Sequence, residues 1–273
     1  MQVELSTDPG SPGRPNEDFA AIAPGVAVLL DGAGTPAGRD SGCTHGVAWF
    51  ARTVGGLLLT GAQDRGVSLT EALGTAIRQV ASQHSGTCDL KNPCTPSATV
   101  LVARAHGSDL EYLILADSVM LFQLGEGEFR VMTDPRLDEA LAGLRPDYRQ
   151  LPPGSPEREA GWQHHVCEVY ERRNQPGGYW VAAADPAAAE HAIAGTAPLA
   201  GLDAVALLSD GAGRLADRYG RATWPEIGGI LSRYGPAEAI SRLRAVEAAD
   251  PLGSRWPRTK IRDDATIVYW RIC

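Results

Sequence analysis

Val26-Ala27-Val28-Leu29-Leu30-Asp31-Gly32-Ala33-Gly34 carries five apolar residues straight into a carboxylate followed by two glycines, Gly32 and Gly34. The apolar run reads as a strand, and a strand end holds a carboxylate in a fixed position. The same device recurs at Ala204-Val205-Ala206-Leu207-Leu208-Ser209-Asp210-Gly211. Its reverse occurs where Asp263-Asp264 precede the apolar run Ala265-Thr266-Ile267-Val268-Tyr269-Trp270. Asn16-Glu17-Asp18 adds a further acidic turn. Carboxylates that converge at strand ends repel one another and lose solvation, so they require a strong cation nearby. An all-oxygen ligand set suits Mg or Mn. Read singly, each Asp-Gly is equally well a turn, since both residues are favoured there.

Outward from these motifs, Val47 to Leu59 and Leu69 to Val80 have apolar residues at helical spacing. Ala98 to Ala103, Leu110 to Leu115, Val119 to Leu124 and Glu128 to Met132 read as strands. The short connections His106-Gly107-Ser108-Asp109 and Gly125-Glu126-Gly127 imply antiparallel hairpins. Residues 135–176 form a polar excursion, broken by Pro152-Pro153-Gly154 and helical from Glu157 to Arg173. Strand pattern resumes at Tyr179 to Ala184 and Ala204 to Leu208. Trp224 to Tyr234 and Ala237 to Ala248 read as helices, and Ala265 to Ile272 closes the chain as a strand. No linker divides 1–273, which reads as a single domain. Pattern alone leaves the packing of the sheets open.

In their order, Asn16-Glu17-Asp18, Asp31-Gly32-Ala33-Gly34, Ala116-Asp117-Ser118, Ser209-Asp210-Gly211 and Asp263-Asp264-Ala265-Thr266 resemble the successive motifs of the metal-dependent PPM/PP2C protein phosphatases, bacterial type. The resemblance runs almost end to end. It implies an α+β fold, an α-β-β-α sandwich of two antiparallel sheets flanked by helices. It implies two Mn2+ or Mg2+ ions, with Asp31 bridging them and the Gly32 carbonyl on one of them. It places Asp210 and Asp263 on the first ion, and Glu17 and Asp18 on the second through waters. Asp117 matches a ligand of a third ion, although Val119 replaces the Arg that normally ends that motif. Asp264 stands where the family has Asn. Arg14 is the candidate for the substrate phosphate, one residue from the expected position, Gly13. Ala33 replaces a His found in many eukaryotic members. In such an enzyme two metals activate a shared water for in-line attack on phosphorus.

The implied substrate is a phosphoserine or phosphothreonine protein, or a small phosphate ester; a noncatalytic module that binds a phosphoprotein is the alternative. A net charge of -8 and a pI near 5.3 argue against nucleic acid and anionic membranes as partners. No segment reads as a membrane span or secretory signal, so a cytoplasmic location is expected. Cys43, Cys88, Cys94, Cys167 and Cys273 then read as reduced thiols, with a local Cys88–Cys94 bridge as the alternative. None lies in a phosphate loop suited to a thiol nucleophile. The absence of Cys-x-x-Cys and His-x-x-x-His spacing argues against zinc or iron. Asp134 reads as a strand end, and Trp49, Trp180 and Trp270 as core.

Overall fold

In the computed structural model, the described residues are 2–35, 39–142, 144, 148, 151, 155–258 and 260–272. Pro152-Pro153-Gly154 and Cys273 lie outside them. Ten strands form two antiparallel five-stranded sheets. The first contains β1 (Gln2–Asp8), β10 (Ala265–Arg271), β9 (Leu202–Leu208), β6 (Val119–Leu124) and β7 (Phe129–Met132), in that spatial order. The second contains β2 (Phe19–Ala23), β3 (Val26–Ala33), β4 (Ser97–His106), β5 (Asp109–Leu115) and β8 (Ile193–Pro198).

The alternation of β3 explains the layering. Val26, Val28 and Leu30 face α1 (Val47–Ala62) and α2 (Leu69–His84), while Ala27 and Leu29 face the opposite sheet. With both faces buried, no polar residue interrupts the run, and its periodicity is hidden in the sequence. The inter-sheet layer joins Leu29, Leu101 and Ile114 to Phe122, Val205 and Trp270, the last 1% exposed. The outer face of the first sheet is covered by α5 (Asp210–Asp217), α6 (Trp224–Tyr234) and α7 (Pro236–Ala248). The result is the expected α-β-β-α order.

Both expected hairpins form, β4 with β5 and β6 with β7. The excursion holds α3 (Arg136–Ala142), which the pattern did not indicate, and α4 (Pro156–Glu171), capped by the Ser155 hydroxyl. One expectation is corrected. Tyr179 to Ala184 is not a strand: it makes only isolated bridges, Ala182 with Ala98 and Tyr179 with Arg173. Its apolar side chains reflect burial rather than sheet pairing. The ends of the chain meet in the sheet, with β1 pairing β10 over seven residues from Gln2 opposite Arg271 to Asp8 opposite Ala265. No helix among the described residues is long and apolar enough to cross a membrane.

Candidate functional site

Asp31 lies near the end of β3, opposite Thr99 of β4. One of its oxygens accepts the Asp210 backbone N–H at 3.0 Å. Asp210 opens α5, so the carboxylate also meets the positive end of that helix. Burial raises the Asp31 pKa well above the ordinary carboxylate value, and the charges of Asp18, Asp210 and Asp263 push it further in the same direction. Asp31 therefore stands where the two sheets bring their acidic motifs together.

Asp18 is buried, and neither of its carboxylate oxygens makes a full hydrogen bond, although the hydroxyls of Thr266 and Ser209 face it. Burial lifts its pKa to about 7; the two hydroxyls oppose the rise, and the charges of Asp264 and Asp210 add to it. A buried carboxylate without a donor costs several kcal/mol unless a cation or proton satisfies it, about 1–3 for the lost hydrogen bonding alone. Glu17 is half-buried with its pKa raised, first by desolvation, while Lys260 opposes and Asp264 and Asp263 add to the rise.

The remaining motif residues hold these groups in place. Asn16 accepts the Asp18 N–H at 2.9 Å and donates to the Thr7 hydroxyl at 2.8 Å. Thr7 meets the Thr266 hydroxyl across the β1–β10 pair at 2.7 Å. The Thr266 N–H in turn donates to the Ser209 hydroxyl at 3.0 Å. Asp264 accepts the N–H groups of Gly10 at 2.8 Å and Glu17 at 2.7 Å, one on each oxygen. Those bonds leave Asp264 in a positioning role. Gly32 and Gly211 permit close approach of chain to chain. A Cβ on Gly32 would lie 2.5 Å from the Glu17 carbonyl, and one on Gly211 would strike the Asp264 carbonyl.

Asp263 is brought to the centre but is already engaged. Its oxygens accept from Arg214 Nη2 and from Lys260 Nζ at 2.6 Å. Burial works against the charge on Lys260, but Asp263, Asp31 and Glu17 outweigh it and raise the lysine pKa. Arg214 also lies 3.8 Å from Asp210, one helical turn before it on α5. The sequence reading missed both cations. The i,i+4 spacing of Asp210 and Arg214 was the available signal for one, and Lys260 three residues before Asp263 for the other.

Asp117 occupies the turn between β5 and β6, after Ala116, whose φ of 70° is unusual for a residue with a Cβ. Burial lifts the Asp117 pKa to about 7, followed by the charges of Asp210, Asp138 and Asp134. Its neighbour Ser118 meets Thr99 at 2.6 Å, and Thr99 in turn accepts the Asp31 N–H at 3.3 Å. Asp134 pairs with Arg136. Thus Asp117 faces Asp210 at one side of the centre.

On the other side lies a cleft of about 970 Å³ whose lining includes Arg14, Glu17, Trp162, Tyr170, Arg258 and Lys260. Helix α4 forms one wall, fastened where Tyr170 Oη donates to the Gly34 carbonyl at 2.7 Å. The surface excursion thus reaches the Asp31-Gly32-Ala33-Gly34 turn itself.

Tested against divalent cations, the donor set fits. Glu17, Asp18, Asp31, Asp210 and Asp263 supply only oxygen, neither Asp18 oxygen makes a full hydrogen bond, and Arg214 and Lys260 hold the Asp263 carboxylate. Residues 11–144 match the sequence profile described as Protein phosphatase 2C, a span that includes the first three motifs. No curated protein matches the chain. Among solved structures, the serine/threonine phosphatase PstP/Ppp of Mycobacterium tuberculosis aligns with a TM-score of 0.59 at 18% identity, covering 99% of this chain and 97% of that one. A PstP catalytic domain in complex with 2 manganese ions gives 0.58 at 18%, covering 99% and 97%. The PPM Ser-Thr phosphatase MsPP from Mycobacterium smegmatis, in complex with cacodylate, gives 0.57 at 18%, covering 99% and 98%. At such identities the likeness is one of fold.

Proposed function

Since the chain belongs to the protein phosphatase 2C family, we propose that it hydrolyses phosphomonoesters, with phosphoserine and phosphothreonine of proteins as the substrate class. The observation that carries this reading is the buried Asp18 carboxylate, lacking a full hydrogen bond among the charges around Asp31, beside a cleft with Arg14 and Lys260 in its wall. Asp31, Asp210 and Asp263 would hold one Mn2+ or Mg2+, Asp31 with Glu17 and Asp18 a second, and the Gly32 carbonyl would serve one of the two. When bound, two such ions supply a water acidic enough to attack phosphorus and charge to offset that developing on the phosphoryl oxygens.

The protein's own groups perform the rest. Asp31 is preoriented by the Asp210 N–H. Arg14 stands at the cleft wall to receive phosphate oxygens, for which a planar guanidinium is suited. Lys260 balances the charge of Asp263, a carboxylate that would also serve a bound metal. The cleft, at about 970 Å³, has room for a peptide segment. Ala33 places no imidazole beside the leaving group. Asp117, facing Asp210, would hold a third, weaker ion.

Turnover of an aryl phosphate and of a phosphothreonine peptide, followed while Mn or Mg is titrated, tests the reading. Activity is expected only with added metal, on the order of millimolar for hydrated ions at open carboxylate sites. It should vanish in excess chelator and return with Mn. Turnover that persists in chelator would overturn the metal mechanism. No turnover at any metal concentration would favour the noncatalytic, phosphoprotein-binding module.

A further inference from the structure

Far from the acidic centre in chemistry, although joined to it by the segment that leaves Gly34, Cys43, His45, His84 and Cys88 come together at one end of the α1/α2 pair. Cys43 and His45 precede α1, His84 is the last residue of α2, and Cys88 follows in the next turn. Their ligand atoms all lie within 4.8 Å of one another. The two sulfurs are 3.5 Å apart; Cys88 Sγ is 3.3 Å from His45 Nδ1, and Cys43 Sγ is 3.8 Å from His84 Nδ1 and 3.9 Å from His45 Nδ1. Zinc bonds of about 2.3 Å to sulfur and about 2.0–2.1 Å to nitrogen, in a tetrahedron, require separations of about 3.8 Å between sulfurs and about 3.6 Å between sulfur and nitrogen. The sulfur–nitrogen spacings bracket their value, and the sulfur–sulfur spacing of 3.5 Å lies slightly below its own.

We propose that these residues form a structural Cys2His2 zinc site. Three observations support the assignment besides the spacing. First, His84 is 2% exposed and its Nδ1 meets a sulfur at 3.8 Å. That long contact satisfies a buried ring nitrogen poorly, and a metal on Nδ1 supplies a partner. Second, Trp49 braces both rings, stacking on His45 with centroids 4.3 Å apart and lying 5.1 Å from His84. Third, the two halves are already tied by backbone and side chain: the Asp89 N–H donates to the Gly42 carbonyl at 2.8 Å, and Asn92 Nδ2 to the Asp40 carbonyl at 3.1 Å. Hydroxyls of Thr87 and Thr44 lie 3.6 and 3.8 Å from Cys88 Sγ, in position to support a thiolate.

The donor set selects the metal. Two thiolates and two neutral imidazoles match zinc in a closed four-coordinate site and differ from the oxygen ligands of the acidic centre. Binding one Zn2+ replaces the two thiol protons, which pass to solvent, so the assembled site is neutral. The proposal runs against the expectation, drawn from the spacing of Cys and His, that the sequence holds no zinc site. Cys43-x-His45 and His84-x-x-x-Cys88 are half-sites that only the α1/α2 pairing brings together. The clamp anchors residues 43–45 ahead of α1, and the proposal is independent of the phosphatase reading.

Elemental analysis of the full chain, purified under reducing conditions and dialysed against a chelator too weak to remove thiolate-bound zinc, should give one zinc per chain. The Cys43→Ser/Cys88→Ser double variant should lose it, whereas Asp31→Asn should retain it. Co2+ exchanged into the wild-type protein should show thiolate-to-cobalt charge transfer in the near ultraviolet and intense visible bands of four-coordinate geometry. This measurement decides the matter even where the double variant fails to fold. A cobalt spectrum lacking the charge-transfer band would overturn the proposal. So would equal zinc in the wild type and the double variant, loss of zinc in Asp31→Asn, or a Cys43–Cys88 disulfide in the reduced preparation.

Discussion

At Asp31 a carboxylate is held between one backbone donor, the Asp210 N–H, and the charges of Asp18, Asp210 and Asp263. Burial and those charges work against its ionised form in the folded, metal-free protein, and a neutral side chain relieves the repulsion. Asp31→Asn keeps an acceptor for the Asp210 N–H and removes the charge. Metal-dependent turnover should fall by at least about 10²–10³-fold, the range for loss of one electrostatic group at a reacting centre. Thermal unfolding in chelator should give a Tm equal to or above that of the wild type. A large loss of metal-free stability would make Asp31 a structural residue. Gly32 and Gly211 have a steric role as well, since each admits the backbone of another motif where a Cβ would collide with it.

The described residues between α7 and β10 form no regular secondary structure, yet they place Arg258 and Lys260 in the cleft wall. Asp250 organises it by accepting from the N–H groups of Ser254 at 2.8 Å, Arg255 at 3.2 Å and Trp256 at 3.1 Å, and from Arg258 Nη1 at 2.7 Å. Burial opposes the Asp250 charge, but Arg258 and the backbone donors outweigh it and hold its pKa at about 2. A carboxylate pKa depressed on folding stabilises the protein above the unfolded value of about 3.9, and that contribution is lost as the pH falls through the folded value. Asp250→Asn should therefore lower the Tm at neutral pH. The gap from the wild type should close as the pH falls from about 4 to about 2. Melting curves of both proteins across that range check this, and a gap independent of pH would mean that the charge of Asp250 does not hold the segment.

Across the whole molecule, the two sheets contribute opposite halves of the acidic centre. Asp18 and Asp31 flank and end strands of one sheet, while Asp210 and Asp263 follow β9 and precede β10 of the other. Metal bound among them would join the sheets and stabilise only the native state. At one hundred times its Kd a single such ion adds about 2.7 kcal/mol. For a chain of this size that corresponds to roughly 5–10 °C in Tm. Thermal melts against Mn concentration should show this rise in the wild type and little or none in Asp31→Asn. Equal shifts in both proteins would place the stabilising ion elsewhere.

The amino-acid sequence by itself determined the strand that ends in Asp31, the hairpins of β4–β5 and β6–β7, the helices facing them, and the order of the acidic turns. Each of these is written locally, in apolar runs, turn residues and helical spacing. Motif order also carried the layer arrangement through resemblance, which periodicity could not do, because strands buried on both faces do not alternate. Only the tertiary structure decided the rest. β1 closes the sheet against β10 although it is an edge strand with Leu5 39% exposed, and β8 pairs β5 as the other sheet's edge. Tyr179 to Ala184 is apolar without being a strand, since burial and pairing are separate demands. Arg214 and Lys260 on Asp263, Tyr170 on Gly34, and the Cys43, His45, His84 and Cys88 cluster join residues from different elements. Such contacts depend on which elements pack together, and local spacing holds no record of that.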